Sequence, residues 1–363
     1  MMPIALYVHI PFCAKKCAYC DFRSWAGREA DWGRYLNALE EEFKTSAARY
    51  GKLPVATAFI GGGTPSILPE DAVMRILAMT RARFELLPGA EVTVEANPGT
   101  LSPEKLRAWR DSGVNRLSVG LQAAQPAILE TLGRIHTAEE ARLAVEWARD
   151  AGLKNINLDL MYALPGQSMA DWVETLTFAL NLKPEHLSLY SLILEEGTPL
   201  AQAVASGELS APGDETSVGM QRAAGRILAR RGFRRYEISN YALQGFECRH
   251  NLTYWTRGDY LGLGCAAHSM MRGERFENAG DLDAYLAGVR EVSRRAIGAD
   301  EAREEAILLG TRTARGIPLE LVARKREQLK RLEAGGFVNL AGGRLILTEK
   351  GMEVQNAVVL ELV

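Results

Sequence analysis

The stretch YVHIPFCAKKCAYCDF, residues 7–22, joins an apolar, strand-like run to three cysteines, Cys13, Cys17 and Cys20. A structural zinc site would close on four protein ligands, and a 4Fe–4S cluster usually has a cysteine on each of its four irons. No fourth cysteine lies nearby, so the spacing predicts a 4Fe–4S cluster with one iron open to a small molecule. Zinc, or three unrelated thiols, is the alternative, but the spacing matches neither zinc ribbons nor bacterial ferredoxins.

Composition and charge narrow the class of protein. The 363 residues are enough for one large domain and a smaller one. There are 43 Lys and Arg against 45 Asp and Glu, and this net charge of −2 argues against a nucleic-acid partner. We expect no secretory signal and no membrane span, which would need about 18 consecutive apolar residues. Five cysteines, three of them clustered, argue against a disulfide framework, so we expect a cytoplasmic protein.

Strand-like and helical segments alternate through the first two-thirds of the chain. The candidate strands are residues 5–10, 57–61, 91–95, 116–122, 155–161 and 186–194. The amphipathic segments between them include residues 32–50, 70–83, 103–112, 139–151 and 169–181. Six βα units in series are typical of an α/β protein with a parallel sheet and outer helices.

The faces of these candidate strands differ in polarity. Val92 and Val94 alternate with Thr93 and Glu95, for example, and successive strand residues point to opposite faces. A parallel sheet buried on both faces should instead be apolar throughout. The alternation therefore predicts a sheet curved around a polar, ligand-holding lumen, as in a partial (β/α)6 barrel. An open sheet with one solvated face is the alternative.

After the sixth candidate strand the pattern changes. Residues 197–214 are predicted to be a loop, because Thr-Pro and Pro-Gly pairs are typical breakers. The last segment combines two helical stretches with the strand-turn pattern GRLILTEKG, which is typical of a small winged-helix-like domain. It has no basic face, so we expect a docking or lid role. The predicted divisions are residues 1–240 for the barrel core, 241–298 for a connecting segment and 299–363 for the C-terminal domain.

A glycine run and three polar side chains are candidates for binding a small molecule. IGGGTP, residues 60–65, ends the second candidate strand, where bare backbone can approach a ligand closely. Glu95, Gln122 and Asp159 lie on the polar strand faces, the first two at C-terminal strand ends, where barrel sites gather. A buried carboxylate needs a partner, either a ligand hydroxyl or ammonium group or an internal salt bridge with Arg134.

In order and spacing, these motifs resemble the oxygen-independent coproporphyrinogen III oxidase family of radical S-adenosylmethionine (SAM) proteins. The motifs are YVHIPFC with C-x3-C-x2-C, GGGTP, VEANP, LQ followed by LGRIH, and NLDLMYALPGQ. The resemblance extends over nearly the whole chain. It implies a radical SAM barrel, a 4Fe–4S cluster on Cys13, Cys17 and Cys20, and one or two SAM molecules. The SAM contacts that it implies are Tyr7, Tyr19, Gly62, Gly63, Thr64, Glu95, Gln122, Arg134 and Asp159.

Three features separate two branches of this family. The dehydrogenase branch has a further cysteine where this chain has Phe22, and it has a longer segment before the cluster motif. CRHNLTYW, residues 248–255, matches the HNxxYW motif of the HemW-type haem chaperones. The resemblance therefore implies haem as cargo, with His250, Tyr254 and Trp255 as haem contacts. It also implies two protein partners that the sequence does not identify, a haem acceptor and a reductant.

Other functions stay open at this point. One alternative is an oxygen-independent coproporphyrinogen III dehydrogenase, which would share the cluster and SAM. If the protein is an enzyme, we expect it to belong to this class of oxidoreductase. A radical SAM enzyme with an unrelated substrate would have no need of HNLTYW. Imidazole is a common haem ligand and aromatic rings stack on flat ligands, but His250 could equally be a hydrogen-bonded structural histidine. The favoured function is a haem chaperone that binds haem and passes it to an acceptor.

Overall fold

The computed structural model describes residues 2–363, which form one large and one small sheet. The strands are β1 (Ile4–Ile10), β2 (Pro54–Gly62), β3 (Glu85–Ala96), β4 (Arg116–Gln122), β5 (Ile156–Tyr162), β6 (His186–Ser191), β7 (Arg234–Arg235), β8 (Asn240–Ala242), β9 (Tyr260–Leu263), β10 (His268–Met271), β11 (Glu274–Asn278), β12 (Glu291–Ala296), β13 (Ile317–Pro318), β14 (Val338–Ala341) and β15 (Arg344–Leu347).

Helices cover much of the remaining chain. They are α1 (Trp32–Tyr50), α2 (Glu70–Arg83), α3 (Pro103–Asp111), α4 (Pro126–Thr131), α5 (Ala138–Asp150), α6 (Met169–Asn181), α7 (Pro199–Ala205), α8 (Asp214–Arg230), α9 (Arg249–Trp255), α10 (Leu282–Leu286), α11 (Ala299–Gly310), α12 (Arg326–Ala334), α13 (Glu349–Glu353) and α14 (Gln355–Leu362). Short 3-10 helices cover Glu29–Asp31, Pro65–Ile67, Pro98–Thr100 and Leu319–Val322. Within residues 2–363, no helix combines the length and the apolar character needed to cross a bilayer.

Strands β1 to β6 lie side by side in chain order and run parallel to one another. Helices follow each of these strands, because parallel neighbours require a long crossover connection. The C-terminal ends of all six strands therefore meet at one end of the sheet, where the ligand sites of such folds gather. The predicted partial (β/α)6 barrel is confirmed.

The two faces of these strands differ as the alternation predicts. The inner face carries buried polar side chains, including Thr57, Thr93, Ser118, Asn157 and His186. The outer face carries buried aliphatic side chains, including Leu6, Ile60, Val94, Leu117 and Leu158. The aliphatic face belongs to the same hydrophobic cluster as Leu39 of α1 and Trp172 of α6. The helices thus seal the outer face, and the polar groups are left to line the lumen.

Side-chain caps fix where two of the outer helices begin. The hydroxyl of Thr137 accepts a hydrogen bond from the backbone N–H of Glu140, whose carboxylate accepts one from the N–H of Thr137. Ser168 and Asp171 form the same reciprocal pair at the start of α6. Such capping boxes pair backbone N–H groups that the first helical turn leaves free.

The predicted loop at residues 197–214 is wrong in part, because it contains helix α7. Thr198 caps this helix, with its hydroxyl accepting a hydrogen bond from the N–H of Ala201 at 3.3 Å. Pro199 occupies the first helical turn, where a missing N–H costs nothing. The Thr-Pro pair therefore starts a helix here instead of breaking one.

Further strands extend the large sheet beyond both edges of the six-stranded core. Strand β9 pairs in parallel with β1, and β10, β11 and β12 follow it as antiparallel neighbours. At the other edge, β8 and β7 add antiparallel to β6. Leu261, Met271 and Phe276 pack in the same hydrophobic cluster as the barrel strands. The main sheet is therefore continuous through Ala296, and the divisions predicted at residues 240 and 298 stay predictions.

The C-terminal segment has its own small core. Strands β13, β15 and β14 form a separate antiparallel sheet. Ile307, Val322 and Leu345 are buried in a hydrophobic cluster distinct from that of the large sheet. Ion pairs link the two parts, including Arg222 with Glu353 at 2.7 Å. Partly exposed pairs of this kind contribute little stability individually. A backbone hydrogen bond from the N–H of Ala314 to the carbonyl of Tyr236, at 2.9 Å, also joins the two parts.

Replacing Leu39 by alanine tests the outer packing. Leu39 is fully buried between α1 and the sheet, whereas Leu360 of α14 is 77% exposed. We expect Leu39→Ala to lower the free energy of unfolding by about 2–5 kcal/mol, because it removes buried apolar contacts and leaves a cavity. The matched variant Leu360→Ala should change it by about 0.5 kcal/mol or less. Urea unfolding measures both, and equal effects of the two would contradict this packing.

Candidate cofactor site

The three clustered cysteines lie on the loop that leaves the C-terminal end of β1. Backbone hydrogen bonds fix this loop, from the N–H of Cys13 to the carbonyl of Trp25 at 3.0 Å and from the N–H of Ala18 to the carbonyl of Leu132 at 3.0 Å. None of the three cysteines forms a disulfide, and all three are partly exposed. The loop therefore holds its cysteines at the open end of the barrel, where a ligand can reach them.

One cavity of about 400 Å³ brings nearly all the predicted cluster and SAM residues together. Its lining includes Cys13, Cys17, Cys20, Tyr19, Gly62, Gly63, Thr64, Glu95, Gln122, Arg134 and Asp159. Tyr7 is the exception, because it lines a second cavity of about 400 Å³. The two cavities adjoin, since Phe22, Gly62 and Glu95 line both.

The glycine turn packs against the strand that carries the cysteine loop. The N–H of Gly63 donates to the carbonyl of Ile10 at 2.8 Å, and that of Thr64 to the carbonyl of Phe12 at 2.7 Å. A Cβ on Gly63 would lie only 2.5 Å from the carbonyl oxygen of Phe12. Gly62 has φ near +109°, and a Cβ there would collide with the ring of His9. Glycine is thus required to dock the turn on β1 as well as to expose backbone to a ligand.

Two carboxylates lie in the cavity, whose lining also includes the guanidinium of Arg134. Glu95 accepts a hydrogen bond from the N–H of Gly62 at 2.9 Å. Burial, followed by the nearby Asp159, raises the pKa of Glu95 from 4.5 to about 7. Asp159 accepts hydrogen bonds from Ser118 and Asn157, both at 2.9 Å. A cationic group of a ligand beside Glu95 would offset the unfavourable burial of its ionised carboxylate.

Two side chains outside the loop approach the cysteine sulfurs. The hydroxyl of Thr64 donates to Sγ of Cys13 at 3.5 Å, and Nη1 of Arg134 donates to Sγ of Cys17 at 3.5 Å. Arg134 is held in place by the carbonyl of Gly120, at 2.9 Å from Nη2. Donors to cysteine sulfur are one means by which proteins set the reduction potential of an iron–sulfur cluster.

These residues fit a cluster better than a single metal ion. Within residues 2–363, no group of three or more His, Cys, Asp and Glu side chains is arranged to hold one metal ion. In a cubane each cysteine binds a different iron, so the three sulfurs need not converge on one point. The partly exposed thiols, the donors to sulfur and the buried carboxylate of Glu95 suit a 4Fe–4S cluster with an open iron beside a cationic ligand such as SAM.

The HNLTYW segment lies in helix α9, and none of its residues lines the cluster cavity. His250 is 1% exposed. Its Nδ1 is 2.8 Å from the hydroxyl of Thr57, and its Nε2 is 2.8 Å from the hydroxyl of Tyr254. Burial, with a smaller effect from Arg116, lowers the pKa of His250 to about 3, so this imidazole is neutral. Both of its nitrogens are therefore engaged inside the protein.

The other residues of the motif are placed differently from one another. Tyr254 lines the second cavity. Trp255 borders neither of the two cavities, and its ring lies 4.4 Å from the guanidinium of Arg312. The carboxylate of Glu91 accepts hydrogen bonds at 3.0 Å from the N–H groups of Arg249 and His250, which anchors the start of the helix. The structure thus brings together the predicted cluster and SAM residues but does not gather His250, Tyr254 and Trp255 around one cavity.

Sequence reasoning missed several residues that line the cluster cavity. Ser118 lies on a polar strand face, so the alternation pattern could have identified it. Lys15 and Lys16 stand between the cysteines and could have been found from that position alone. Tyr190 lies on the polar face of β6, so the alternation pattern could have identified it as well, whereas Ile193 comes from the loop after β6, where no motif marks it.

Alanine at Gly63 tests the glycine turn. We expect Gly63→Ala to lower the iron bound per chain after cluster reconstitution, because the new Cβ pushes the turn away from the backbone of Phe12. Gly33 in α1 is the matched control, since a Cβ there meets nothing within 4 Å. Iron analysis and equilibrium dialysis with SAM measure the outcome, with circular dichroism to check folding. Wild-type iron and SAM binding in Gly63→Ala would contradict the argument.

The buried Glu95 predicts a pH dependence of stability. Its pKa is about 7 in the folded chain and 4.5 ordinarily, so between these values the folded state binds more protons than the unfolded state. Glu95 therefore favours the folded state most at low pH. As the pH rises from about 4.5 to about 7, about 3 kcal/mol of the free energy of unfolding is lost. Urea unfolding of the cofactor-free protein at about pH 5 and about pH 8 should show this loss, and Glu95→Gln should reduce it. An unchanged pH dependence in the variant would refute the assignment.

Comparisons with known proteins agree with this geometry. A Radical SAM superfamily model matches residues 7–179, and a HemN C-terminal domain model matches residues 297–354. Heme chaperone HemW of Mycobacterium tuberculosis H37Rv is 37% identical, covering 98% of this chain and 94% of the relative. Heme chaperone HemW of Bacillus subtilis is 36% identical, covering 97% of each chain.

A solved structure supports the fold over the whole chain. Coproporphyrinogen III oxidase (HemN) from Escherichia coli superposes with a TM-score of 0.87 at 22% identity, covering 99% of this chain and 90% of that one. This likeness concerns the fold alone. The identity to the HemW proteins over nearly the full length is the closer relationship, and this chain belongs to the HemW family of the radical SAM superfamily.

Proposed function

We propose that this protein is a haem chaperone, which binds haem and passes it to an acceptor protein while carrying a 4Fe–4S cluster and SAM. The observation that carries this proposal is the 36–37% identity, over nearly the whole chain, to proteins named heme chaperone HemW. The cluster cavity supports it, because all the residues expected for the cluster and SAM except Tyr7 line one space.

The residues proposed to hold the cofactors divide by chemistry. Cys13, Cys17 and Cys20 supply the three thiolate ligands of the cluster. Glu95 and Asp159 present negative charge toward a cationic SAM, and the glycine turn lines the cavity without side chains, so the ligand can approach its backbone closely. When bound, a cluster with an open iron can pass one electron to SAM. The two adjoining cavities leave room for either one or two SAM molecules.

Phe22 supports the chaperone over a porphyrinogen dehydrogenase. It stands where the dehydrogenase branch is expected to carry a further cysteine, and its phenyl ring is 61% exposed at the edge of both cavities. A phenyl ring there offers an apolar contact in place of a sulfur ligand. The likeness to the coproporphyrinogen III oxidase concerns the fold alone, so it gives the dehydrogenase no further support.

The haem contacts predicted for His250, Tyr254 and Trp255 stay a prediction. Ligation of haem iron by His250 would require its imidazole to give up at least one of two 2.8 Å hydrogen bonds. Tyr254 is better placed, since it lines a cavity. Ligation by His250 therefore depends on a rearrangement around its imidazole, whereas contact with Tyr254 does not, and haem titrations of single variants of the motif would measure the contribution of each residue.

The remaining partners are proposed from chemistry. The cluster needs a one-electron reductant, and the cargo needs an acceptor that binds haem more tightly. The net charge of −2 argues against a nucleic-acid partner. A reducing compartment such as the cytoplasm suits five unpaired cysteines and an oxygen-sensitive cluster.

An anaerobic haem titration of the cluster-reconstituted protein tests this function. We expect a saturable Soret change at one haem per chain, followed by loss of that signal when a haem-free b-type cytochrome is added in excess. Size-exclusion chromatography then shows whether the haem has moved to the cytochrome. Coproporphyrinogen III is the control substrate, and we expect no protoporphyrinogen IX from it. Turnover of coproporphyrinogen without haem binding would reverse the assignment.

A further inference from the structure

The HNLTYW helix packs against the inside of the barrel. The imidazole of His250 stacks on the ring of Phe59, with centroids 5.0 Å apart, and its Nδ1 lies 2.8 Å from the hydroxyl of Thr57. Both partners lie on β2, two residues apart, so they share one face of the strand. On the neighbouring strand β1, the ring centroid of Tyr7 lies 6.5 Å from that of the same imidazole. His250 is therefore packed into the wall of the lumen.

Tyr254 lies one helical turn after His250 and is held from two sides. Residues four apart on a helix are neighbours, and here the two rings meet edge to face, with centroids 5.0 Å apart. Nε2 of His250 lies 2.8 Å from the hydroxyl of Tyr254. The ring of Tyr260, at the start of β9, packs edge-on against Tyr254 with centroids 4.7 Å apart. The imidazole and Tyr260 therefore fix the orientation of the Tyr254 ring.

The imidazole of His250 is fully engaged by two hydroxyls. Burial lowers the pKa of His250 to about 3, so the ring is neutral and has one N–H and one acceptor nitrogen. The hydroxyls of Thr57 and Tyr254 pair with both. The start of the helix is anchored independently, since Glu91 accepts hydrogen bonds at 3.0 Å from the backbone N–H groups of Arg249 and His250. Loss of the imidazole would thus free Tyr254 without releasing the start of the helix.

The second cavity, of about 400 Å³, has a largely aromatic lining to which Tyr254 contributes. The rings are those of Tyr7, His9, Phe22, Tyr254, Tyr260 and His268. Gly62 and Glu95 line this cavity and the cluster cavity alike, so a ligand here lies next to the space assigned to the cluster. Aromatic walls around a cavity of this size suit a flat ring system, and SAM supplies one in its adenine. His250 lines neither cavity, so it acts on such a ligand through Tyr254.

We propose that His250 is a positioning residue, which holds the ring of Tyr254 against the adenine of SAM in the second cavity. This inference rests on the proposed function, since it takes SAM as the ligand. It assigns the histidine of HNLTYW to the cofactor site, with its imidazole bonded inside the protein and not to haem iron. Tyr254 is then the residue of the motif that contacts the ligand.

Removing the hydrogen bond between His250 and Tyr254 from either end tests this role. In the cluster-reconstituted protein, His250→Ala and Tyr254→Phe should each weaken SAM binding by about threefold to tenfold in equilibrium dialysis, as expected for one hydrogen bond. The double variant should bind SAM no more weakly than His250→Ala alone, because both changes remove the same bond. Thr253→Ala is the matched control on the same helix, since Thr253 lines neither cavity, and it should bind SAM as the wild type does. Iron analysis confirms that each variant carries its cluster.

A conservative variant separates positioning of Tyr254 from ligation of haem. In His250→Gln, the side-chain amide can replace Nε2 as the partner of the Tyr254 hydroxyl, but it offers no imidazole to haem iron. We therefore expect His250→Gln to recover most of the SAM affinity that His250→Ala loses. In an anaerobic haem titration, His250→Gln should also give the Soret band of the wild type.

The outcomes separate this inference from the proposed function. A wild-type protein with an intact cluster that binds SAM but no haem would defeat the haem-chaperone function, and the SAM measurements would still decide the role of His250. Wild-type SAM affinity in His250→Ala, or additive losses in the double variant, would overturn the positioning role. Loss of the wild-type Soret band in His250→Gln would overturn it as well, because the imidazole would then be a haem ligand. Equal, non-additive losses of SAM affinity that His250→Gln restores, with the haem spectrum unchanged, support the inference.

Discussion

One buried amide holds the inside of the partial barrel together. Nδ2 of Asn157 donates to the hydroxyl of Ser118 at 2.7 Å and to Asp159 at 2.9 Å, while its Oδ1 lies 2.6 Å from Nδ1 of His186. His186 in turn is 2.8 Å from the hydroxyl of Tyr236. A buried polar group without a partner costs free energy, so neighbouring strands keep a register that pairs these groups. The position of Asp159 in the cluster cavity depends on that register.

Much of the fold could be predicted from the sequence because its signals are local. Alternating strand faces, amphipathic helices and spaced cysteines each depend on residues close together in the chain, and the predicted and observed limits of α1, α2 and β4 coincide. Those of β3 do not, because Glu85 extends the strand six residues before the predicted start and no local pattern marks the extension. The pairing of β9 with β1 was likewise invisible, since it joins segments about 250 residues apart.

The candidate site shows the same division. The glycine turn and the polar strand faces predicted part of the cavity lining, because a motif at a strand end implies a position at the open end of the barrel. The residues predicted in this way are Gly62, Gly63, Thr64, Glu95, Gln122 and Asp159. The HNLTYW motif, in contrast, does not indicate by itself where its residues lie in the fold. Its sequence is compatible with a haem ligand or with a packed histidine, and only the partners of His250 distinguish them. Conversely, Ile193 belongs to no motif and became visible only through its exposure beside the cysteine loop.

The parallel pairing of β1 with β9 also has a consequence for biosynthesis. Strand β1, which leads into the cysteine loop, is hydrogen-bonded on one side to β2 and on the other to β9. The N-terminal strand thus stays half-paired on the ribosome until Tyr260–Leu263 has been translated and released from the exit tunnel. Contacts this distant in sequence form late and slowly. The cysteine loop is therefore synthesised well before the strand that completes the pairing of β1, and β1 gains its second neighbour only after β9 has emerged.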